Sequence, residues 1–265
     1  MKQDILTEII ANKRFEVDRQ KTIYSLRELE DMMQDHMPQI RSMKQSIAAS
    51  SSGIIAEFKR RSPSKGWIHR DANPVDIIPY YALNGASALS ILTDEVFFGG
   101  TLSDIRNVRQ EVNIPILRKE FIIDEYQVYQ SRAIEADAIL LIAAALSMKK
   151  CDELIQLAHQ LGLEVLLELH DESEIPYASL GADMIGINNR NLGSFHTDSE
   201  HSFDIVKKLP QESFLISESG LKDAETIVRL REVGYKGFLM GEAFMKESNP
   251  PLALKQLIQE ITTKK

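Results

Sequence analysis

Eight short apolar runs recur along the chain, each followed by a polar or glycine-containing turn and then an amphipathic stretch. They cover residues 53–58, 88–92, 114–117, 136–143, 163–169, 182–187, 213–216 and 237–240, at a mean spacing of about 26 residues. Continuous rather than alternating hydrophobicity is what a parallel strand buried on both faces requires. The intervening stretches carry helix punctuation. Asn73 and Pro74 supply an N-cap and a first-turn proline, Gly85 a stop, and Pro79 is expected to kink the helix between them. Ser147 opens a stretch whose Leu154, Leu157 and Leu161 share a face before Gly162. Asp171 with Glu174 forms a capping box, and Asp223 precedes Ile227, Leu230 and Val233, ended by Gly234. Eight strand–helix units joined by right-handed crossovers close on themselves, which predicts an α/β fold of the (β/α)8 TIM-barrel type. An open doubly wound sheet is the alternative; its GxGxxG turn after an early strand is absent.

The length of 265 residues suits one barrel of about 250 residues with an addition. Residues 1–50 precede the first run and form a helical extension, and residues 51–265 form the barrel domain. In the extension, Ile5, Leu6, Ile9, Ile10 and Val17 mark an amphipathic helix, with a second around residues 25–33. These helices cover either the barrel mouth or a partner surface. A hydrophobic content of 43% with 26% charged residues excludes a disordered chain. The formal net charge of −8 argues against a nucleic-acid partner and for a small-molecule one. Cys151 is the single cysteine, so neither an intrachain disulfide nor a thiolate metal cage is expected. The start MKQDILTEII lacks the apolar core of a secretory signal. The longest apolar run, residues 138–146, is nine residues against the ~20 that span a bilayer. The expectation is a soluble cytoplasmic protein without membrane association, acting as a monomer or weak oligomer.

In such barrels the chemistry sits where the strands end. The first run ends in AEFKRRSPSKG, putting Glu57 and Lys59 on one side of the strand and Ala56 and Phe58 on the other. The third ends in ILRKEF, with Lys119 in line with Leu117; the fifth in LLELH, with Glu168 and His170 on one side. The sixth ends in INNRN, where Asn188 and Arg190 share a side. A single charged residue at a strand end is ordinarily a solvated rim group. Six charged or amide groups converging on one mouth form a site, because each burial costs several kcal/mol unless paired. Glu168 near Lys119 makes a candidate acid–base pair. His170 is assigned a structural or supporting role. The other histidines fit no metal spacing. After the seventh and eighth runs, Ser219-Gly220 and Gly241-Glu242 let the backbone approach a ligand, the position at which these barrels hold a phosphate. Lys59, Lys119 and Arg190 supply more positive charge than one phosphate needs, which suggests a second anion such as a carboxylate.

The segments IIAEFKRRSPSKG, SILTDEVFFGG, ILRKEFIIDEYQ, LLELH, IGINNRNL, ISESGL and FLMGEAFM, in this order across all eight units, resemble the indole-3-glycerol-phosphate synthase family, as does the N-terminal ILTEIIANKRFEV. The resemblance implies closure of an indole ring on 1-(2-carboxyphenylamino)-1-deoxyribulose 5-phosphate, with release of CO2 and water, in tryptophan biosynthesis and without metal or organic cofactor. It implies Lys119 as general acid, Glu168 as acid or base in the dehydration, and Glu57 as a carboxylate assisting proton transfer. It implies substrate contacts from Lys59, Ser62, Asn188, Arg190, Glu218 and Ser219, phosphate contacts from Gly220, Gly241 and Glu242, and ring packing by Phe98 and Phe121. Which of Lys59 and Lys119 protonates at each step stays open. Ser64, Lys65 and Gly66 are expected to form a mobile flap. No fused isomerase domain is expected.

The nearest competitor is phosphoribosylanthranilate isomerase, which relies on a Cys–Asp pair and lacks the extension; Cys151 falls in a helical stretch. A non-catalytic ligand-binding barrel is the other competitor, and the Lys119, Glu168 and Glu57 set speaks against it.

Overall fold

Eight parallel strands close into a barrel: β1 (Ile54–Phe58), β2 (Ala88–Leu92), β3 (Ile116–Lys119), β4 (Ala138–Ile142), β5 (Glu164–Leu169), β6 (Met184–Asn188), β7 (Leu215–Glu218) and β8 (Gly237–Met240). Closure comes from β1 pairing with both β2, Ile55 opposite Ala88, and β8, Ile55 opposite Leu239. The computed structural model describes residues 5–34, 37–191, 193 and 195–264. Asp4 and Leu192, quoted above from the sequence, lie outside the described residues. Helices follow the strands, and their ends largely obey the punctuation. Ser147 accepts from the Lys150 N–H at the start of Met148–Gln160, and Asp223 from the Thr226 N–H at the start of Ala224–Glu232. Helix Pro74–Leu83 runs through Pro79. The proposed capping box at Asp171 is altered: the Asp171 side chain accepts from the Ser173 N–H, Glu174 accepts from the His170 N–H, and residues Glu172–Ser179 form 3-10 turns around Pro176.

Each strand alternates its side chains between the barrel interior and the helical shell. Ile55, Leu117, Leu166 and Ile216, from β1, β3, β5 and β7, belong to one inner cluster with Ala88, Ala138, Leu140, Met184 and Leu239. A barrel interior is filled by layers of four side chains drawn from alternate strands. One inward position further along those same four strands stand Glu57, Lys119, Glu168 and Glu218. The aliphatic layer is thus succeeded by an ionic one.

Three helices precede the barrel: α1 (Ile5–Ile23), α2 (Leu26–Gln34) and α3 (Met43–Ala49). Both ends of the barrel are served by them. Met43 and Ile47 of α3 are buried in the inner cluster and plug the N-terminal end, while the Ser46 hydroxyl donates to the Ser87 carbonyl. At the opposite end α1 buries Leu6, Ile9, Lys13 and Val17. The Lys13 ammonium lies 2.9 Å from Asp94, 2.9 Å from Glu120 and 2.8 Å from Glu16. Asp94 follows β2 and Glu120 follows β3, so one lysine pins α1 to two loops of the mouth.

Cys151 is buried in Met148–Gln160, outside the barrel, and burial pushes its thiol up to about 12. Only the thiolate is nucleophilic. An aromatic disulfide reagent at pH 8 is therefore expected to leave the folded protein unlabelled and to titrate one thiol after unfolding in guanidinium. Rapid labelling of native protein would contradict this placement.

Candidate active site

The ionic layer floors a cavity of about 670 Å³ at the C-terminal mouth. Lys119 donates to Glu168 at 2.9 Å and to Glu218 at 2.5 Å, and Lys59 pairs with Glu57. All three carboxylates are nearly inaccessible: Glu57 is 4% exposed, Glu168 3% and Glu218 1%. Room for them comes from glycines on the intervening strands. A Cβ on Gly186 would stand 2.1 Å from the Glu218 Oε1, and one on Gly241 2.4 Å from the Glu57 Oε1. A side chain at either place would force the facing carboxylate to move, and at Gly241 the Glu57 Cβ as well, 2.9 Å away.

Burial alone would push the Lys119 ammonium down, but Glu168, Glu218 and Glu57 overcome it and hold the lysine above its ordinary range. Burial likewise favours protonated Glu168, yet Lys119 and His170 keep it ionised, well below the usual carboxylate range. Glu218 moves the other way, raised by burial and by the charge on Glu168 against the opposing pull of Lys119. Two carboxyl groups on one lysine thus differ in ionisation, the separation that assigns acid and base roles. The Glu218 Oε1 is buried against Gly186.

The remaining wall divides by chemistry. Phe98 and Phe121 face the cavity with ring centroids 5.9 Å apart, and Leu140, Ile142, Ile5, Leu6 and Ile9 extend this apolar side. Ile5, Leu6 and Ile9 belong to the amphipathic face that the sequence marks in the extension, whereas Leu140 and Ile142 are not singled out by it. Leu140 and Ile142 sit in a strand apolar throughout, so nothing distinguished their inward positions. On the polar side, Arg190 donates to Ser64 and Glu242, each at 3.3 Å, and its N–H donates to Asn188. Ser219 and Gly220 both have positive φ, +66° and +72°. A serine in this region is strained backbone, of the kind that clusters at ligand-binding turns. Gly241 opens the one-turn helix Glu242–Met245, the short extra helix of barrel phosphate sites. The Glu242 carboxylate is held by Arg190 at 3.3 Å and by Lys65 at 3.6 Å.

Ser62 does not line the cavity. It is buried beside the turn of a hairpin pairing Arg61–Ser62 with Gly66–Trp67, and Pro63, Ser64 and Lys65 of that turn reach the mouth instead. The hairpin's root is Arg60, which holds Asp104 through two hydrogen bonds of 2.6 and 3.0 Å. Asn189 was also missed: it ties the loop after β6 to Ser217, Ser219 and Ser202. Its neighbour Asn188 faces the cavity, so alternation sends Asn189 behind it.

A barrel with a charged acid–base layer at its C-terminal mouth, beside loops shaped for an anion, defines a (β/α)8 enzyme acting on a phosphorylated small molecule. The fold alone is also that of 3-hexulose-6-phosphate synthase from Salmonella typhimurium, with a TM-score of 0.61 at 11% identity over 80% of this chain and 100% of that one. A profile described as "Indole-3-glycerol phosphate synthase" matches residues 6–257. Indole-3-glycerol phosphate synthase of Bacteroides thetaiotaomicron is 58% identical over 98% of this chain and 99% of its own, and that of Polaromonas naphthalenivorans is 41% identical over 97% and 99%. The chain belongs to the indole-3-glycerol phosphate synthase family.

Proposed function

We propose that the chain closes the indole ring of 1-(2-carboxyphenylamino)-1-deoxyribulose 5-phosphate, releasing CO2 and water, with the ionic layer of β1, β3, β5 and β7 as its acid–base machinery. The observation that carries the assignment is Lys119 bridging the two buried carboxyl groups of Glu168 and Glu218 beside an aromatic wall. Attack of an aromatic carbon on a ketone builds negative charge on the ketone oxygen, and Lys119 donates its proton there. Loss of CO2 restores the aromatic ring. The hydroxyl then leaves as water while a proton leaves the adjacent carbon, which needs an acid and a base placed around one centre. Glu168 takes the first of these roles or the second, and Glu57 assists from the opposite side of the layer.

Phe98 and Phe121 pack on the substrate's ring. Lys59, Arg190 and Asn188 meet its carboxylate and hydroxyl groups, with Glu218 and Ser219 flanking the reacting centre. The N–H groups of Gly220, Gly241 and Glu242 receive the phosphate. Residues 1–50 act with the barrel as one catalytic unit, with α1 roofing the site. Among the described residues no helix is long and apolar enough to cross a membrane. We place the activity in the cytoplasm, in a monomer or weak oligomer that binds no nucleic acid.

The test is incubation of purified protein with this substrate while indole fluorescence is followed. A rise that saturates with substrate is expected, and a dephosphorylated substrate should bind far more weakly. Absence of indole product would overturn the assignment, and equal affinity without the phosphate would remove the anion loops from it.

A further inference from the structure

Behind Glu168 lies a histidine that the reaction so far leaves unused. The His170 side chain is 6% exposed, and neither ring nitrogen has a hydrogen-bond partner. A buried polar group left unpaired costs about 1–3 kcal/mol, so its retention calls for a cause. Its Nε2 lies 3.3 Å from the Glu168 Oε1, the oxygen that Lys119 does not hold, and its Nδ1 lies 4.0 Å from the Glu174 Oε2. Glu174 is itself 12% exposed and is fixed by the 2.6 Å bond it accepts from the His170 N–H. The ring therefore stands between a buried carboxylate of the site and a carboxylate with access to water.

Resting on the proposed reaction, a proton count gives this arrangement a task. The substrate's ring carboxylate enters ionised and leaves as neutral CO2, while the phosphate is unchanged. The ring–carboxyl bond breaks, one carbon–carbon bond forms, and the ketone oxygen departs as water carrying two protons. One of those protons comes from the carbon beside the former ketone. The other must enter from solvent once in every turnover, into a cavity whose floor is buried and whose roof is α1.

We infer that His170 is a positioning residue that orients Glu168 and passes it that proton from the solvent side at Glu174. An imidazole suits the task because it donates from one nitrogen while accepting at the other. The charged groups around the ring are Glu168 on its own strand, Glu174 and Asp171 in the following turns, and His201 acting across Asp171. None of them replaces a two-ended relay, since each carboxylate reaches only one side.

The test compares wild type, His170→Asn and Glu174→Gln in kcat and KM across pH, in the solvent deuterium isotope effect on kcat, and with added imidazole. His170→Asn is expected to lower kcat about a hundredfold, the lower end of what a proton-transfer step contributes. Its KM should change little, the kcat–pH profile should shift, the isotope effect should rise, and imidazole should restore part of the rate. Glu174→Gln keeps the acceptor for the His170 N–H and should shift the same readouts more weakly, which preserves the test if His170→Asn folds poorly. Variants with the wild-type pH profile and isotope effect, or with a change in KM alone, would overturn the inference. An inactive wild type would instead overturn the reaction on which it rests.

Discussion

Lys119→Ala is expected to lower turnover by about three to four orders of magnitude, near the upper end of what one general acid contributes. The side chain is the one cation of its layer. It touches Glu168 and Glu218 and is held above its ordinary range by their charges, so it carries a proton at every working pH. Alanine removes the donor and also the charge that keeps Glu168 ionised, so the acid and its partner base fail together. Lys119→Arg separates these effects. It keeps the charge and should keep most substrate affinity, but guanidinium gives up its proton too reluctantly to act as the acid. Single-turnover rates and substrate binding measured on both variants check this. Wild-type turnover in either would place the acid elsewhere, and Lys59, beside Glu57, would be the lysine to test next.

The second large effect concerns stability. Lys13→Met should cost about 3–5 kcal/mol at neutral pH, as expected when one partner of a buried ion cluster is removed. Lys13 is 1% exposed and faces Asp94 and Glu120, which are 0% and 2% exposed. Without it, the cation left beside these two buried carboxylates among the described residues is Arg118, 3.6 Å from Glu120. The pH dependence has a defined sign. In the wild type, burial would raise Glu120, but Lys13 and Arg118 hold it below the ordinary carboxylate range. Its contribution to stability is therefore present above the unfolded-state value near pH 4.3 and lost as the pH falls through the lower folded value. In the variant the largest opposing charge is gone, so burial shifts Glu120 toward the protonated acid. The stability gap should be widest at neutral pH and narrow toward pH 4. Urea unfolding of both proteins at several pH values checks this, with KM as a second readout because Ile5, Leu6 and Ile9 of the same helix line the cavity. A pH-independent gap under about 1 kcal/mol would show that the lysine does not hold the cluster.

What the sequence disclosed follows from which forces act locally. The runs at 88–92 and 237–240 coincide with β2 and β8 because strands buried on both faces are apolar along their whole length. The third run was placed two residues early, since β3 ends in Arg118 and Lys119. Arg118 is buried in the helical shell and bonded to Gln127, Gln130 and Ser131, partners no strand pattern announces. Helix α3 went unseen because two buried residues, Met43 and Ile47, make too short a period. Lys13 read as one polar residue in an apolar helix, its partners some 80 and 107 positions away. Polar residues at strand ends were legible because polarity there contradicts the apolar strand before it. The apolar wall of the cavity gave no such contrast, and Ser62 was misplaced because the hairpin after β1 turns it inward.

The central claim, that one cavity couples ring closure to decarboxylation and dehydration through Lys119, is tested most directly with substrate labelled in its ring carboxylate. A single-turnover measurement of labelled CO2 and indole product together is expected to give one of each per active site in the wild type and neither on that timescale in Lys119→Ala. Label released without indole, or indole formed at the wild-type rate by the variant, would contradict it.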